Sequence, residues 1–360
     1  MALLIPAQVM ALSETSQAWI KMKTDKNAKP AFGVEGLKPV INSDKIPAGK
    51  FKKDPPWKIA QAFNGFGNTW RIQIAEEMKH EAAKNPEIEK YIFVEADNDP
   101  VKQVSQIQDL LTQGIDALIV APAATDNCNE LIAKAVSMGI PVINVIESTT
   151  SKDVTVRIEA DQWHFGNVMG KWLVKQLNGK GRIWMLKGIP GFAASVARDE
   201  GAYAAFKGTD IKVTSEGYGY WSMDKSRRLV ENLLVSDPNP DGIWSAGATM
   251  SRAAIEVFEE NGMPVPPITG EGENGFFKAW KKHDLKSMSA VFPPSLGIAG
   301  VRAAVALLKG EEVQSAYIHR PDPITTAEER DKYLRPDLSN DLWVPTTAPE
   351  ELLQKLYGQK

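Results

Sequence analysis

The sequence predicts an α/β protein of two successive lobes, each a parallel sheet covered by helices. Two observations carry that expectation. From residue 58 onward, short continuous apolar runs alternate with amphipathic segments, and the alternation is completed twice along the chain. With 360 residues and 43% hydrophobic side chains, the chain is also long enough to bury two cores of ordinary size.

The first series opens with "KIAQAF" as a buried strand and "TWRIQIAEEMKHEAAK" as a helix. "KYIFVEA" is the next strand. In "NDPVKQVSQIQDLLTQG", Val101, Val104, Ile107, Leu110 and Leu111 keep helical spacing, with Pro100 in the first turn and Gly114 past the end. "IDALIVAP", the helix "NELIAKAVSMG" and the strand "IPVINVI" follow. The second series runs through "FGNVMGKWLVKQLNG", "GRIWMLKG", "ARDEGAYAAFKG", "IKVTSEGYG", "KSRRLVENLLVSDP", "GIWSAG", "SRAAIEVFEENG" and "PITGEG", alternating helix and strand. "MSAVFPP", the helix "LGIAGVRAAVALLKG" and an irregular tail with prolines at 321, 323, 336, 345 and 349 complete the chain. A chain so ordered recrosses between its lobes near 293 and 323. The expected boundaries are 58–160 with 294–322 for the first lobe and 161–293 with 323–345 for the second, leaving 346–360 as a C-terminal tail.

Residues 1–57 stand apart. "MALLIPAQVMALSE" is a short apolar stretch in which Val9 and Ala11 suit a small-residue cleavage site, without the basic n-region of a full secretion signal. A truncated export signal and an ordinary apolar N-terminus are both open readings. Residues 12–57 are rich in Lys, Pro, Asn and Ser and read as a partly ordered polar lead-in, with the compact fold starting just after Trp57.

Bulk properties narrow the function. A net charge of -3 gives no long-range attraction to nucleic acid. No apolar run reaches the roughly 18 residues that span a bilayer, so contact with a membrane is expected only through a partner or an unseen anchor. The single cysteine, Cys128, excludes an intramolecular disulfide, and the four histidines (80, 164, 283 and 319) have no metal-site spacing, so no metal is expected. "FNGFGNTW" places Gly65 and Gly67 at a strand-to-helix turn, as a dinucleotide site does. Trp70 occupies the place of the third glycine, where close helix packing is required, so no nucleotide or other cofactor is expected.

That turn is instead rich in planar amides and apolar rings. Hydroxyl-bearing ligands need convergent donors and acceptors, each neutral bond netting only about 0.5–1.5 kcal/mol, and a ring beneath their C–H face. Open α/β sheets gather such groups beyond the carboxyl ends of the strands. Polar or aromatic residues fall at many such ends: Asn64 and Asn68, Glu147, Asp161 and Gln162, Arg198, Tyr220 with Trp221, and Glu271, Glu273 and Asn274 in "GEGENG".

The stretches "DNDPVKQVSQIQDLLTQGIDALIVAPA", "KAVSMGIPVINV", "KGIPG" with "ARDEG", "ENLLVSDPNPDGIWSAG" and "GVRAAVALLKGE" give the chain a family likeness. In order and spacing, from about 58 to 312, it resembles the type I periplasmic binding proteins of the ribose and galactose kind, the receptors of ABC sugar importers. The resemblance implies two Rossmann-like lobes with parallel sheets, a three-crossover hinge and a sugar held in the cleft. It also implies export to the periplasm and delivery to a membrane permease, and a monomer is expected. By position, Asn64 and Asn68 match first-lobe polar ligands, Trp70 a stacking aromatic with Arg71 beside it, Arg198 the family arginine and Trp221 the second-lobe aromatic. Departures are Ile146 and Glu147 for the usual Asp-Arg, Gly247 for an Asn, "GEGENG" for a Gly-Phe-Asp turn and Pro293 for a Gln. They argue against ribose itself and point to another sugar or to a polyol.

Each candidate has a plainer reading. Trp70 suits a core position, Asn68 a helix N-cap, Arg71 a surface or lobe-closing residue, and Asp161 a hinge support. Arg198 can pair with Asp199 or Glu200 on a solvated helix start, and loop acids such as Glu147, Glu271 and Glu273 are ordinarily just hydrated. The competing functions are a carbohydrate-active enzyme, for which only the acids of "GEGENG" speak, and the effector domain of a lactose-repressor-like regulator. The regulator would carry a helix-turn-helix ahead of the core, and residues 1–57 show none. A binding protein, not an enzyme, is expected.

Overall fold

The computed structural model describes residues 12–358. Val9 and Ala11, the expected cleavage positions, lie outside them.

Four elements precede the first regular series: helix α1 (Glu14–Lys21), a 3-10 turn (Ala31–Gly33) and the short strands β1 (Leu37–Pro39) and β2 (Lys45–Ile46). The series itself runs β3 (Trp57–Phe63), α2 (Thr69–Ala83), β4 (Ile88–Glu95), α3 (Pro100–Thr112), β5 (Ala117–Val120), α4 (Asn129–Ser137), β6 (Val142–Ile146) and β7 (Val156–Ala160). Each strand of this lobe but β4 is almost wholly buried, because helices cover both faces of the sheet. Asn68 and Asp99 cap α2 and α3, accepting backbone N–H groups of the first turn, and Pro100 follows directly where its missing N–H costs nothing.

The second series comprises α5 (Gln162–Gln176), β8 (Lys180–Lys187), α6 (Ala193–Phe206), β9 (Asp210–Tyr218), α7 (Met223–Ser236), β10 (Gly242–Ser245), α8 (Ala248–Glu260), β11 (Ile268–Glu271), α9 (Asn274–Lys282) and β12 (Ser287–Ala290). The chain ends with α10 (Leu296–Lys309), β13 (Val313–Gln314), β14 (Ala316–His319), α11 (Ala327–Asp331) and α12 (Glu350–Tyr357). The α10 helix is apolar on nearly every side because it is buried, and it stops at Gly310, whose φ of 79° is the left-handed C-cap conformation.

Two sheets result. The first has the order β1-β14-β7-β6-β5-β3-β4 and the second β12-β11-β10-β8-β9, all neighbours parallel except β1 against β14. The chain passes between them after β7, after β12 and again after β14, where Ile324 bridges back to Ser289. This is the expected pair of parallel-sheet lobes with three crossings. In each sheet the order reverses beside the first strand of its series: β4 and β9 lie on one side, β5 and β10 on the other. Those reversals open crevices at the carboxyl ends of β3 and β8, which is where an open α/β sheet accepts a ligand.

Residues 12–57 differ from the expected polar lead-in. Leu37–Pro39 adds a strand to the first sheet through β14, and β2 pairs with β13. The α1 helix lies beside the hinge: Trp19 is buried against Ala197 and Ile318, and its Nε1 donates to Glu159 Oε2 at 2.7 Å. Ser13 donates to the Glu200 carboxylate on α6, while Arg320, just past β14, donates to the carbonyls of Trp19 and Met22. A few isolated apolar residues, each seated in a separate niche, hold the segment down; a low average hydropathy conceals that arrangement.

Candidate functional site

On the first lobe, the crevice residues form one hydrogen-bonded group. Asn64, at the end of β3, is buried, and its Oδ1 accepts from Arg71 Nη1 at 2.6 Å. Arg71 Nη2 reaches Glu147, just beyond β6. So Arg71, in the first turn of α2, joins the ends of two strands and is only slightly exposed. Asn68 spends its Oδ1 on the Arg71 N–H, the capping role, and keeps its amide donors. Trp70 is buried against Phe292 in the crossover after β12.

Glu147 is aimed by a strained turn. Ile146 has φ of 70°, a left-handed conformation that is costly for a β-branched residue, and the Glu147 N–H returns to the Val145 carbonyl at 2.8 Å. Such strain, of order 1–3 kcal/mol, persists where surrounding structure fixes it and collects at ligand sites.

The second lobe answers with an arginine of its own. Arg198, on α6, is buried; its Nε donates to Gln162 Oε1 at 2.7 Å and its Nη1 to the Ala246 carbonyl at 2.5 Å. Both Nη atoms lie 3.4 Å from the Glu271 carboxylate at the end of β11. The guanidinium stands over the Phe165 ring at 3.7 Å, with the rings of Trp221 and Phe292 at 5.7 and 5.6 Å. Arg198 thus pairs with Glu271 across the sheet edge and not with its neighbours Asp199 and Glu200. Burial raises the Glu271 carboxyl above the ordinary range, and Arg198 opposes that rise.

Trp221 and Tyr220 both have positive φ, 52° and 58°, a second strained turn at a strand exit. The Trp221 Nε1 donates to the same Ala246 carbonyl at 3.2 Å. A Cβ on Gly247 would lie 2.6 Å from the indole of Trp221, so the departure at 247 has a steric cause: the ring occupies the place an Asn side chain would need.

The remaining candidates divide. Asp161 caps α5 by accepting the His164 N–H and receives Arg320 Nε at 2.6 Å, which makes it a hinge support beside a small pocket lined by Gln162, Phe165 and Phe292. Glu273 is buried against Thr249 and Arg252, and burial pushes its carboxyl up to about 7. Asn274 is spent on the C-terminal tail: its Nδ2 donates to the carbonyls of Arg335, Leu338 and Ser339, and its Oδ1 accepts the Arg335 N–H. The tail has filled the place in which a ligand contact was expected of it. Sequence reasoning missed Phe165 and Phe292; an apolar ring near a crossover gives no signal until the crossover is folded against a cation.

Among the described residues, no group of three or more His, Cys, Asp or Glu is placed to hold a metal ion, and no helix is long and apolar enough to cross a membrane. Cys128 is buried and its thiol is pushed up to about 12 by desolvation.

Comparison with known proteins agrees with this architecture. The ribose import binding protein of Salmonella typhimurium is 25% identical over 279 residues, covering 77% of this chain and 93% of that protein. The xylitol-binding protein of Mycolicibacterium smegmatis is 30% identical over 237 residues, covering 65% and 68%. Among solved structures, an ABC transporter solute binding protein from Bacillus halodurans with bound myo-inositol superimposes with a TM-score of 0.68 at 23% identity, over 78% of this chain and 98% of that one. A solute binding protein from Thermobispora bispora gives a TM-score of 0.70 at 20% identity, over 83% and 94%. The family model of the periplasmic binding protein domain matches residues 59–312. The two parallel-sheet lobes are consistent with that match, and the chain belongs to the periplasmic binding proteins.

Proposed function

We propose that this chain is the solute receptor of an ABC importer, taking an uncharged sugar or sugar alcohol between its lobes and handing it to a membrane permease without chemical change. One observation carries the reading: each crevice presents a guanidinium already paired with a carboxylate, Arg71 with Glu147 and Arg198 with Glu271, beside the rings of Trp70, Phe165, Trp221 and Phe292. Two internally neutral pairs offer strong donors and acceptors with no net charge to balance, which suits hydroxyl groups that both give and accept hydrogen bonds. Names of the relatives, a ribose import binding protein and a xylitol-binding protein, support the same class.

In this reading Asn64, Asn68, Trp70, Arg71 and Glu147 hold the solute on the first lobe, and Arg198, Trp221 and Glu271 close over it from the second. Asp161 and Glu273 shape the hinge and the second-lobe wall. The solute favours the shut arrangement only through contacts absent from the open one. The protein works as an exported monomer and meets the membrane through the permease. Isothermal titration against ribose, xylitol, myo-inositol, galactose and arabinose tests this: one-site heat with at least one is expected. Heat from none, with turnover of any, removes the receptor reading in favour of an enzyme.

A further inference from the structure

The C-terminal tail touches both lobes. Against the second, its backbone forms a short ladder beyond β11: Val344 N–H donates to the Gly272 carbonyl at 2.7 Å, Asn274 N–H to Leu342 at 2.8 Å and Gly275 N–H to Asn340 at 2.9 Å. Leu338, Leu342 and Trp343 are buried in the process. The approach is so close that a Cβ on Gly272 would sit 1.8 Å from the Val344 oxygen.

Against the first lobe the same segment is hydrogen-bonded by side chains of one stripe of α2. Thr69, Gln73 and Glu77 are spaced four apart and therefore share a face. Gln73 grips the Trp343 backbone at both ends, its Nε2 donating to the carbonyl at 3.0 Å and its Oε1 accepting the N–H at 2.8 Å. Trp343 Nε1 donates to Thr69 Oγ1 at 2.9 Å, and Thr346 Oγ1 donates to Glu77 Oε1 at 2.5 Å. Gln73 and Glu77 are fully buried by this contact. Thr69 directly precedes Trp70, and Gly272 directly follows Glu271, so the segment runs from one crevice to the other.

We infer that residues 338–346 are a clasp across one side of the cleft, in which Gln73 and Trp343 are positioning residues that hold the lobes at their present separation. The proposal rests on the cleft being the ligand site. Its two halves differ in kind, which assigns the moving one. The ladder to the second lobe replaces backbone bonds that water satisfies less cheaply once Leu338 and Leu342 are exposed, so that half stays. The hydrogen bonds to α2 come from the polar side chains of Thr69, Gln73 and Glu77, and on release water can take the place of each partner. The first-lobe contact is thus a latch that opens when the lobes part, and it works against opening in the empty protein.

The test compares the full chain with Gln73→Leu, which keeps volume and removes both hydrogen bonds, and with Trp343→Ala. Small-angle scattering without any sugar is expected to give a larger radius of gyration for both variants, and the Trp343 amide is expected to exchange faster in Gln73→Leu. Should Trp343→Ala fail to fold, Gln73→Leu decides alone. An unchanged radius together with unchanged exchange in folded Gln73→Leu overturns the clasp. Where a sugar of the panel binds, the variant is expected to lose affinity through faster dissociation with its association rate maintained or raised. Because the scattering needs no ligand, a panel that shows turnover without heat removes the receptor reading while the clasp still stands or falls on the radius.

Discussion

The indole of Trp70 lies on the ring of Phe292, centroids 4.5 Å apart and planes 16° apart, and its Nε1 donates to the Phe292 carbonyl at 2.8 Å. Phe292 also faces the Arg198 guanidinium. A single crossover residue therefore links the first-lobe aromatic to the second-lobe cation. Trp70→Ala removes both the stack and the bond at a site only 5% exposed, and is expected to cost about 3–5 kcal/mol of stability. Trp70→Phe keeps a ring and strands the carbonyl, costing about 1–3 kcal/mol. Urea unfolding measures both. Affinity for a panel sugar should fall roughly tenfold or more in the Ala variant, equivalent to about 1.4 kcal/mol or above, and less in the Phe variant.

Arg198 and Glu271 form the second test. Each is almost wholly buried, so removing one leaves the other charged and unpaired. Arg198→Met is expected to lose about 3–5 kcal/mol, and Glu271→Gln to be destabilising for the same reason. In the double variant the stranded charge is gone, and much of the loss should return. A double-mutant cycle by chemical denaturation reads the coupling. Strict additivity of the two losses would show that the pair is not energetically joined.

These relationships were unevenly legible from the chain. The lobes could be read because buried parallel strands are continuous apolar runs, as in "IDALIVAP" and "IPVINVI", and their helices carry a strong period. Asn64, Glu147, Arg198 and Trp221 were found because strand ends are marked in a sequence, Arg71 only through the family resemblance, and the structure gathers them at two crevices. What joins them was not readable: Arg198 reaches Glu271 across 73 positions and Gln73 reaches Trp343 across 270. Nor is strain visible in residue types, since Ile146 reads as one more strand residue while its φ of 70° turns Glu147 toward Arg71. The segments 12–57 and 325–358 were obscure for one reason. Their few apolar anchors, Trp19, Leu37, Leu338 and Trp343, fit niches made by distant elements and follow no period of their own.

The hinge-side helix gives a third prediction. Trp19 Nε1 is the donor to Glu159 Oε2, and burial holds that carboxyl above its ordinary range while the Trp19 bond and Arg157 oppose the rise. A hydrogen bond to a charged group contributes about 1.5–3 kcal/mol. Trp19→Phe should cost that amount in denaturant unfolding, and Glu159→Gln should reduce the cost of the same Trp19 change. An equal cost in both backgrounds would mean that Trp19 acts by packing alone.

Glu77 gives the fourth, through pH. Burial pushes its carboxyl from an ordinary 4.5 up to about 7, with the bonds from Thr346 and Gln73 opposing. In the unfolded chain Glu77 loses its proton near 4.5, whereas in the folded chain it keeps it to about 7. Its contribution is therefore fully present below 4.5 and is lost as pH rises through 7, a span worth roughly 3 kcal/mol. His319 runs the other way: burial pushes its imidazole down to about 3, so its stabilising share is present above its ordinary value of 6.5 and disappears as pH falls toward 3. The two overlap between pH 4.5 and 6.5, and the raw stability curve mixes them. Subtracting the curve of Glu77→Gln from that of the parent chain cancels His319 and every other shared group. The difference should favour the parent increasingly below pH 7 and flatten near 4.5. A difference that is level across this range would show that Glu77 ionises alike in the folded and unfolded chain, and that α2 does not bury it beneath the tail.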